Sequence, residues 1–504
     1  MSATPATPIA SVLIAGGGIA GCSAAVALRK RMPRLAVAIV DTPPPADSMV
    51  DAVGAMLPSA RGFHGDVGIP EAELIQKLGA SVRLGTQFVG WAEGRADYVH
   101  AYGDYGQSIG GAPFHLQWIR AALQGKAPAP FDSYAAAAVM ARAGRFVPPP
   151  DGAQHPLGGY EYGLHVDPVR YLGMLRGYAA HLGVTRYEGS VADVRLDPAD
   201  GRIAGVTLAD GTGLSADLYI DATGPARTLH RALGTPFEDW SQWLFVDRFL
   251  VGTRPMTGEP VALDRVVAHP AGWLWSGGSL TGTQHGFAYA ASVIGDGKAA
   301  RILRGATTLD TDKAPATILP GRLARPWSRN CVAIGDAAVT AEPLEFTGLH
   351  LVHNAIDRLV AKLPATDFAE VETRDYNREA NAEADRVRDF LVAHYAAAAR
   401  PGDPLWARAA AAPLPDTLAH TLRLFAERGR LPIYEEETFS RHSWAAILLG
   451  QGLTPRRVDG LANAVPAANA AAVMARLPQM IHAAVAQLPP VGAYLRHVLD
   501  GARR

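Results

Sequence analysis

The sequence is poor in the features that mark several common classes of protein. Cysteine occurs only at Cys22 and Cys331, which excludes a disulfide framework and a zinc site built from thiolates. The formal net charge of −1 gives no general attraction to nucleic acid or to an anionic membrane. The N-terminus has no basic segment typical of a signal peptide, and no run reaches the roughly 18 apolar residues of a membrane-spanning helix. These absences predict a cytoplasmic protein with neither nucleic acid nor membrane as partner.

What is present indicates a large globular protein. Hydrophobic residues make up 48% of the 504 residues and charged residues 19%, which is typical of folded chains with extensive cores. The N-terminal pattern is the clearest. Ser11–Ala15 predicts a buried strand, a glycine-rich turn and a helical pattern follow, and a second strand, Val37–Val40, ends at Asp41. This order predicts a βαβ unit.

The turn of this unit carries the pattern GxGxxG. Its first glycine permits a tight turn, its second lets the backbone approach a pyrophosphate, and its third lets the helix pack closely on the strand. The free N–H groups at the start of the helix attract an anion, and an acid at the end of the second strand can accept hydrogen bonds from ribose hydroxyls. The sequence therefore predicts a Rossmann-type dinucleotide site. Its predicted contacts are Gly16, Gly18, Ile19, Ala20, Gly21 and Asp41.

Two later turns indicate which dinucleotide binds. Ala222–Gly224 and Gly335–Ala338 each follow an apolar strand, as in two-domain enzymes whose chain returns twice to FAD. Asp336, with Gly335 beside it, is predicted to bind the ribityl hydroxyls. A helix directly after this turn is predicted to point its N-terminus at flavin or pyrophosphate oxygens. The alternative is that Asp336 only caps that helix, but the combination of turns favours FAD.

The rest of the chain predicts a mixed α/β body followed by helices. Asp167–Leu182 is amphipathic at helical spacing, residues 184–224 alternate as a β-meander, and Arg248–Val293 is again strand-like. Helix-forming residues predominate after Asp367. We predict a Rossmann-type FAD-binding domain with an inserted β-rich substrate domain and a helical C-terminal region. The predicted bounds are 1–365 for the body, with substrate-domain strands at about 90–220 and 240–300, and 366–504 for a helical region that covers the substrate.

Several segments are similar, in the same order, to one enzyme family. HPAGWLWSGGSL contains Trp273 and Trp275 and resembles a paired-tryptophan motif of that family. The other similar segments are residues 68–91, 237–249, 342–356 and 450–455. On these motifs, the chain from about residue 11 to residue 465 resembles the flavin-dependent tryptophan halogenases.

The resemblance implies an activity, its cofactors and its partners. In that family, reduced FAD supplied by a separate flavin reductase reacts with O2 and oxidises chloride or bromide to hypohalous acid, which then halogenates an aromatic compound. For this chain the resemblance implies an aromatic substrate, either an indole or tryptophan-like molecule or a side chain carried by a peptide. A homodimer is left open as the assembly.

The resemblance also assigns roles around the segment PLEFTG. Glu345 matches the active-site glutamate, whose carboxylate accepts the ring proton after electrophilic attack. Thr347 and Gly348 match the pair whose backbone N–H groups bind the halide. Phe346 stands between them and Glu345, where the family usually has serine. The alternative for Glu345 is a capping or ion-paired acid.

Further assignments are less regular. Trp273 and Trp275 match the tryptophans that separate flavin from substrate, although residues two apart on a strand can also simply fill a core. Tyr434 lies where family members often contact substrate. Arg83 occupies the position of the catalytic lysine, and Ala55 stands where an acid is expected. Because arginine stays protonated, Arg83 is either an oxidant-handling residue or a structural partner of Glu345 or another acid.

The departures keep two other functions open. One is a flavin-dependent monooxygenase that hydroxylates an indole or a peptide-borne aromatic ring, since the lysine that favours halogenation is missing. The other is a degenerate FAD-binding protein without activity. His350 and His353, at i and i+3, share a helix face, but the sequence offers no third ligand at metal-binding spacing, and no metal site is predicted.

Overall fold

The computed structural model describes residues 7–126, 128–150, 157–307, 314–398 and 400–501. Its contacts divide the chain into two compact units, each made of three chain segments. Unit one consists of Met1–Glu73, Val166–Phe249 and Ala314–Asp385. Unit two consists of Leu74–His165, Leu250–Lys313 and Arg386–Arg504.

The secondary structure of the described residues is mixed. The strands are β1 (Ser11–Ala15), β2 (Ala36–Asp41), β3 (Ser81–Arg83), β4 (Gly85–Val89), β5 (Tyr98–Ala101), β6 (Gly163–His165), β7 (Thr185–Glu188), β8 (Val191–Leu196), β9 (Ile203–Leu208), β10 (Gly213–Leu214), β11 (Leu218–Asp221), β12 (Phe237–Asp239), β13 (Arg248–Arg254), β14 (Asp264–His269), β15 (Gly272–Gly278), β16 (Thr283–Tyr289), β17 (Ala316–Thr317), β18 (Gly321–Leu323), β19 (Trp327–Ser328), β20 (Cys331–Ala333) and β21 (Val339–Thr340). The α-helices are α1 (Ile19–Arg31), α2 (Met49–Ala52), α3 (Ser59–Val67), α4 (Glu71–Leu78), α5 (Phe114–Leu123), α6 (Ala136–Ala143), α7 (Pro168–His181), α8 (Thr228–Ala232), α9 (Asp296–Thr307), α10 (Gly348–Ala361), α11 (Glu370–Ala396), α12 (Pro404–Ala411), α13 (Asp416–Arg428), α14 (Arg441–Gly450), α15 (Ala467–Ala486) and α16 (Val491–Gly501). Short 3₁₀ turns lie at Phe131–Tyr134, Gly224–Ala226, Gly335–Ala337, Leu344–Phe346 and Gly460–Ala464.

Unit one is built around a six-stranded sheet in the order β19-β20-β11-β1-β2-β7. Its neighbouring strands are parallel except for the antiparallel pair of β19 and β20. The predicted βαβ unit is confirmed as β1, α1 and β2. The last residues of three parallel strands, Ala15, Asp221 and Ala333, are in register. Because a turn follows each of these ends, all three predicted cofactor turns leave the same edge of the sheet.

The predicted β-meander is confirmed in its middle and differs at its ends. β8, β9 and β10 form an antiparallel three-stranded sheet. β7 and β11 instead pair in parallel with the central strands β2 and β1. All four residues of β11 are buried, as expected for a strand inside a parallel sheet. The predicted helix at Asp167–Leu182 is confirmed as α7, capped by the Asp167 carboxylate on the Arg170 N–H at 3.0 Å.

Unit two contains the strand-rich segment predicted between Arg248 and Val293 from Leu250 onward. β16, β15, β14, β4 and β5 lie side by side, and only the β14–β4 pair is parallel. β3 and β6 form a separate antiparallel pair. The helical C-terminal part is confirmed, since α11 begins at Glu370 and α12 to α16 follow. In the part of the chain that the structure describes, no helix combines the length and the hydropathy needed to cross a bilayer.

The compact units do not follow the predicted domain bounds. Unit one extends to Asp385 rather than to residue 365, and it includes Val166–Phe249 as one of its own segments. The boundaries of the compact units therefore lie at other positions than the domain boundaries predicted from the composition. The assignment of a substrate-covering role to residues 366–504 stays a prediction.

Candidate functional site

The N-terminal turn has the geometry that the glycine pattern predicts. Gly16 has φ of +114°, and a Cβ added there would lie 2.2 Å from the Ala222 carbonyl oxygen. A Cβ at Gly21 would lie 2.0 Å from the Gly16 carbonyl oxygen. Only glycine fits at either position. A side chain at Gly16 would push the glycine turn away from Ala222, and a side chain at Gly21 would push α1 away from the turn. Ile19 is the first residue of α1, and Ile19 and Ala20 are buried.

Two cavities in unit one connect the predicted cofactor residues. The first is lined by residues of all three turns, including Gly16, Gly18, Ala20, Ala222, Thr223, Gly224 and Asp336. The second is smaller and is lined by Ala55, Phe346, Thr347 and Gly348 among others. Val50 and Asp336 line both cavities. These shared residues place the two cavities next to each other, between α1 and α10.

Asp336 is buried where the two cavities meet. Its carboxylate accepts hydrogen bonds from the Ser48 hydroxyl at 2.9 Å and from the Val50 N–H at 3.1 Å. Burial raises the pKa of Asp336 to about 7. The predicted helix directly after this turn is wrong, since Val339–Thr340 pairs with β18 as strand β21. Asp336 therefore lies in a 3₁₀ turn and caps no α-helix.

Asp41 is held by two arginines. Its carboxylate accepts a hydrogen bond from Arg176 at 2.8 Å and another from Arg186. Arg176 also donates to the Gly17 carbonyl oxygen at 3.0 Å. The side chain of Asp41 is buried, so these contacts fix its orientation at the end of β2. Its role as a ribose acceptor stays a prediction.

The PLEFTG segment has a strained backbone. Glu345 has φ of 61° and Phe346 has φ of 59°, two consecutive non-glycine residues in the left-handed region. Each such conformation costs about 1–3 kcal/mol and persists only where the surrounding structure enforces it. Both side chains are buried, and Phe346, Thr347 and Gly348 line the second cavity. Glu345 is not one of the lining residues of that cavity.

The N-terminus of α10 follows this strained pair. Gly348 is the first residue of the helix, and the Thr347 side chain makes no cap hydrogen bond. The first N–H groups of a helix have no intrahelical acceptor and carry a partial positive charge. An anion in the second cavity would therefore find donors at Thr347 and Gly348, as the sequence resemblance implies.

Arg83, in unit two, is completely buried in a network of polar groups. Its guanidinium donates to the Asp264 carboxylate at 2.7 Å, to the Thr86 hydroxyl at 2.9 Å and to the Tyr102 hydroxyl. The other oxygen of Asp264 lies 2.6 Å from the His165 ring nitrogen. Burial alone would raise the pKa of Asp264, but Arg83 and His165 hold it below its usual value. Two roles were left open for Arg83, oxidant handling and pairing with an acid. The structure supports the second role, and the partner acid is Asp264.

The paired tryptophans lie on one face of β15 and are both buried. The Trp273 indole N–H donates to the Tyr395 hydroxyl at 2.9 Å. Trp275 stacks on His165, with ring centroids 6.1 Å apart and planes 18° apart. Trp275 therefore contacts the Arg83 network through His165. Whether either ring separates flavin from substrate stays a prediction.

The remaining candidate residues are engaged in ordinary packing contacts. The Arg386 guanidinium lies 4.2 Å from the centre of the Tyr434 ring, a cation–π contact within unit two. In unit one, His350 is 2.7 Å from the Ser59 hydroxyl, and His353 stacks on Phe63 at 3.8 Å. Among the described residues no group of three or more acids, histidines and cysteines is arranged to hold a metal ion.

Comparison with known proteins decides the family. The model of the family described as tryptophan halogenase matches residues 11–467. The chain belongs to this family. The halogenase is 30% identical over 426 residues to tryptophan 7-halogenase RebH of Lentzea aerocolonigenes, which covers 79% of this chain and 78% of that one. The predicted family, enzyme class and flavin cofactor are thereby confirmed.

Solved structures agree with the sequence comparison. A flavin-dependent halogenase from a Brevundimonas species superimposes with a TM-score of 0.90 at 31% identity, over 97% of this chain and 99% of that one. A flavin-dependent halogenase from Xanthomonas campestris also gives 0.90, at 33% identity over 97% and 98%. These likenesses confirm the predicted fold class of the halogenase.

The residues of unit one fit FAD. The glycine turn is a cradle that any Cβ would fill, and the first cavity carries the cofactor turns. The halogenase would hold the diphosphate at the α1 N-terminus, the ribityl chain near Asp336 and the flavin ring toward Phe346. The individual residue roles remain proposals.

Sequence reasoning missed two acids of the halogenase. Asp51 accepts a hydrogen bond from the Ile19 N–H at 2.7 Å and so lies at the start of α1. Asp264 is the partner of Arg83. Neither acid belongs to a motif with a spacing that predicts its partner.

Proposed function

We propose that this halogenase uses reduced FAD, O2 and chloride or bromide to halogenate an indole or tryptophan-like ring, free or carried by a peptide. The observation that carries the proposal is the pair of adjacent cavities in unit one: Asp336 lines both the cavity of the nucleotide turns and the cavity of Phe346, Thr347 and Gly348. When bound, reduced FAD supplies the reaction with O2 that oxidises halide to hypohalous acid. We further propose that a separate flavin reductase delivers the cofactor and that the enzyme works in the cytoplasm.

The proposed roles of the residues follow from their positions. Thr347 and Gly348 offer N–H donors to the halide at a positive helix end. Phe346 makes the neighbouring wall apolar, which excludes water from a reactive oxidant. For Glu345, which is buried and does not line this cavity, the family resemblance supplies the role: its carboxylate would accept the proton that the ring carbon loses when the carbon–halogen bond forms. The strain stored at Glu345 and Phe346 supports a functional site here, since such backbone outliers cluster at active sites.

Oxygen transfer to the same substrate class is the second candidate, and the state of Arg83 favours it. Arg83 is buried against Asp264 and cannot offer the free amine of the lysine that it replaces. A chain without that amine loses a means of guiding the halogen to one ring position. We therefore keep hydroxylation of an aromatic ring as the competing outcome.

Product masses separate the two functions. The protein is incubated with FAD, a flavin reductase, NADH, O2 and a panel of indoles, tryptophan and tryptophan-containing peptides, with bromide, with chloride and without halide. A bromine or chlorine isotope pattern that requires the matching halide supports halogenation. A gain of one oxygen atom in all three conditions supports hydroxylation. Unchanged substrates across the panel, with NADH consumed, contradict both and favour a degenerate FAD-binding protein.

A further inference from the structure

The α1 N-terminus of this chain is already in contact with an anion of the protein itself. Ile19 is the first residue of α1, and its N–H has no acceptor within the helix. Asp51, on the short helix α2, accepts this N–H at 2.7 Å through one carboxylate oxygen. In dinucleotide-binding βαβ units the same N–H groups receive the pyrophosphate. Asp51 and a diphosphate would therefore use the same donor.

The Asp51 carboxylate also lies at the glycine over which a diphosphate passes. A Cβ added to Gly18 would be 2.7 Å from one Asp51 oxygen and 2.9 Å from the other. Gly18 is the second glycine of the pattern, whose missing side chain allows the backbone to approach the pyrophosphate. Asp51 also lines the first cavity together with Gly16 and Gly18. The carboxylate thus lies on the path of the phosphates rather than beside it.

The surroundings of Asp51 hold it in this place. Its second oxygen lies 2.7 Å from the Ser48 hydroxyl oxygen, which is also 2.9 Å from an Asp336 carboxylate oxygen, so the two acids share one hydroxyl donor. Ser48 caps α2 through the Asp51 N–H, so the helix and the carboxylate are positioned together. Burial raises the pKa of Asp51, and Arg176 is the basic group that opposes this effect.

We propose that Asp51 is a built-in competitor of the FAD diphosphate, which binds at the α1 N-terminus only after the Asp51 carboxylate leaves it. Two negative groups cannot share this donor without strong repulsion in a buried site. The consequence is a cofactor that binds weakly and exchanges readily. This consequence rests on the proposed function: ready exchange of FAD suits an enzyme whose cofactor is reduced by another protein in every turnover.

Binding measurements on one conservative variant test the proposal. Asp51→Asn removes the charge and keeps a carbonyl oxygen that can still accept the Ile19 N–H. The Kd of oxidised FAD is measured by flavin fluorescence for the full-length wild type, D51N and the control Asp66→Asn. Asp66 is an acid with a 64% exposed side chain that does not line the cavity. We expect D51N to lower the Kd by about tenfold or more, which corresponds to about 1.4 kcal/mol, and D66N to change it less than twofold.

Riboflavin, which has no diphosphate, makes the test specific. D51N is expected to leave the Kd of riboflavin within twofold of the wild type. An unchanged or higher Kd for FAD in D51N overturns the proposal, and so does an equal gain for riboflavin, since that would mean a general opening of the site. If D51N does not fold, as judged by circular dichroism, Asp51→Ser serves with the same expectations, because serine also removes the negative charge from the α1 N-terminus. These binding ratios do not depend on which product the enzyme forms, so failure of the halogenation assay leaves them decisive.

Discussion

The buried pair of Arg83 and Asp264 offers the sharpest test of the structure. Asp264→Asn keeps the shape of the side chain and its contact with His165 but removes the negative charge. Arg83 would then be a buried cation without the negative charge of Asp264 opposite it, although its contacts with the Thr86 and Tyr102 hydroxyls remain. Arg83→Met in the same chain removes that cation and fills much of its volume. The prediction is that R83M restores part of the stability that D264N removes.

The magnitudes follow from the burial of both partners, whose side chains are 0% and 1% exposed. Removing one partner of a buried ion pair costs about 3–5 kcal/mol, whereas replacing both is often nearly neutral. We expect D264N to destabilise the protein by about 3–5 kcal/mol and R83M/D264N to recover about 2 kcal/mol of this. For domains of this size, about 1 kcal/mol shifts the Tm by roughly 2–4 °C. D264N should therefore melt roughly 10 °C below the wild type.

Differential scanning calorimetry of the wild type, both single variants and the double variant completes the cycle. The coupling energy is the difference between the effect of R83M in the D264N chain and its effect in the wild-type chain. A stabilising effect of R83M only in the D264N chain confirms a tightly coupled pair. If R83M lowers the Tm equally in both chains, the two residues act independently and the reasoning about the buried pair is wrong.

Three further predictions follow from the site. The pKa of Asp336 in the folded protein, about 7, lies above its ordinary value of 3.8. Between these two pH values the folded state therefore binds more protons than the unfolded state. The free energy of unfolding should fall by up to about 4 kcal/mol as pH rises through this window. D336N should lack this part of the fall, and urea unfolding from about pH 4 to about pH 8 measures the difference; parallel curves would contradict it. Glu345→Gln should reduce turnover by about 100-fold or more while the Kd of FAD stays unchanged. The exposed control Glu372→Gln should alter neither quantity. Single-turnover product formation measures the first effect, and flavin fluorescence measures the Kd. Arg83→Lys alone should give little gain in halogenated product because Asp264 pairs with the new ammonium group, and R83K/D264N should give more; a large gain from R83K alone would refute the pairing.

The N-terminal part of the site was predictable because its causes are local. A tight turn that requires positive φ at Gly16 needs glycine whatever the rest of the chain does. The short apolar runs likewise predict β1 and β2, and the order of strand, turn and helix leaves few ways to pack them. The helix predicted after Asp336 failed because a partner strand, β18, takes up the backbone at Val339–Thr340.

Asp51 and Asp264 could not be predicted from the sequence, because their partners are distant along the chain. Asp51 is 32 residues from Ile19, and Asp264 is 181 residues from Arg83. A charge that is buried finds its partner through the folded chain, and no spacing in the sequence encodes that distance. The sequence by itself determined the glycine turn, the strands that flank it and the family motifs. The tertiary structure alone decided which carboxylates meet the α1 N-terminus and Arg83, because electrostatic pairing acts through space and not along the chain.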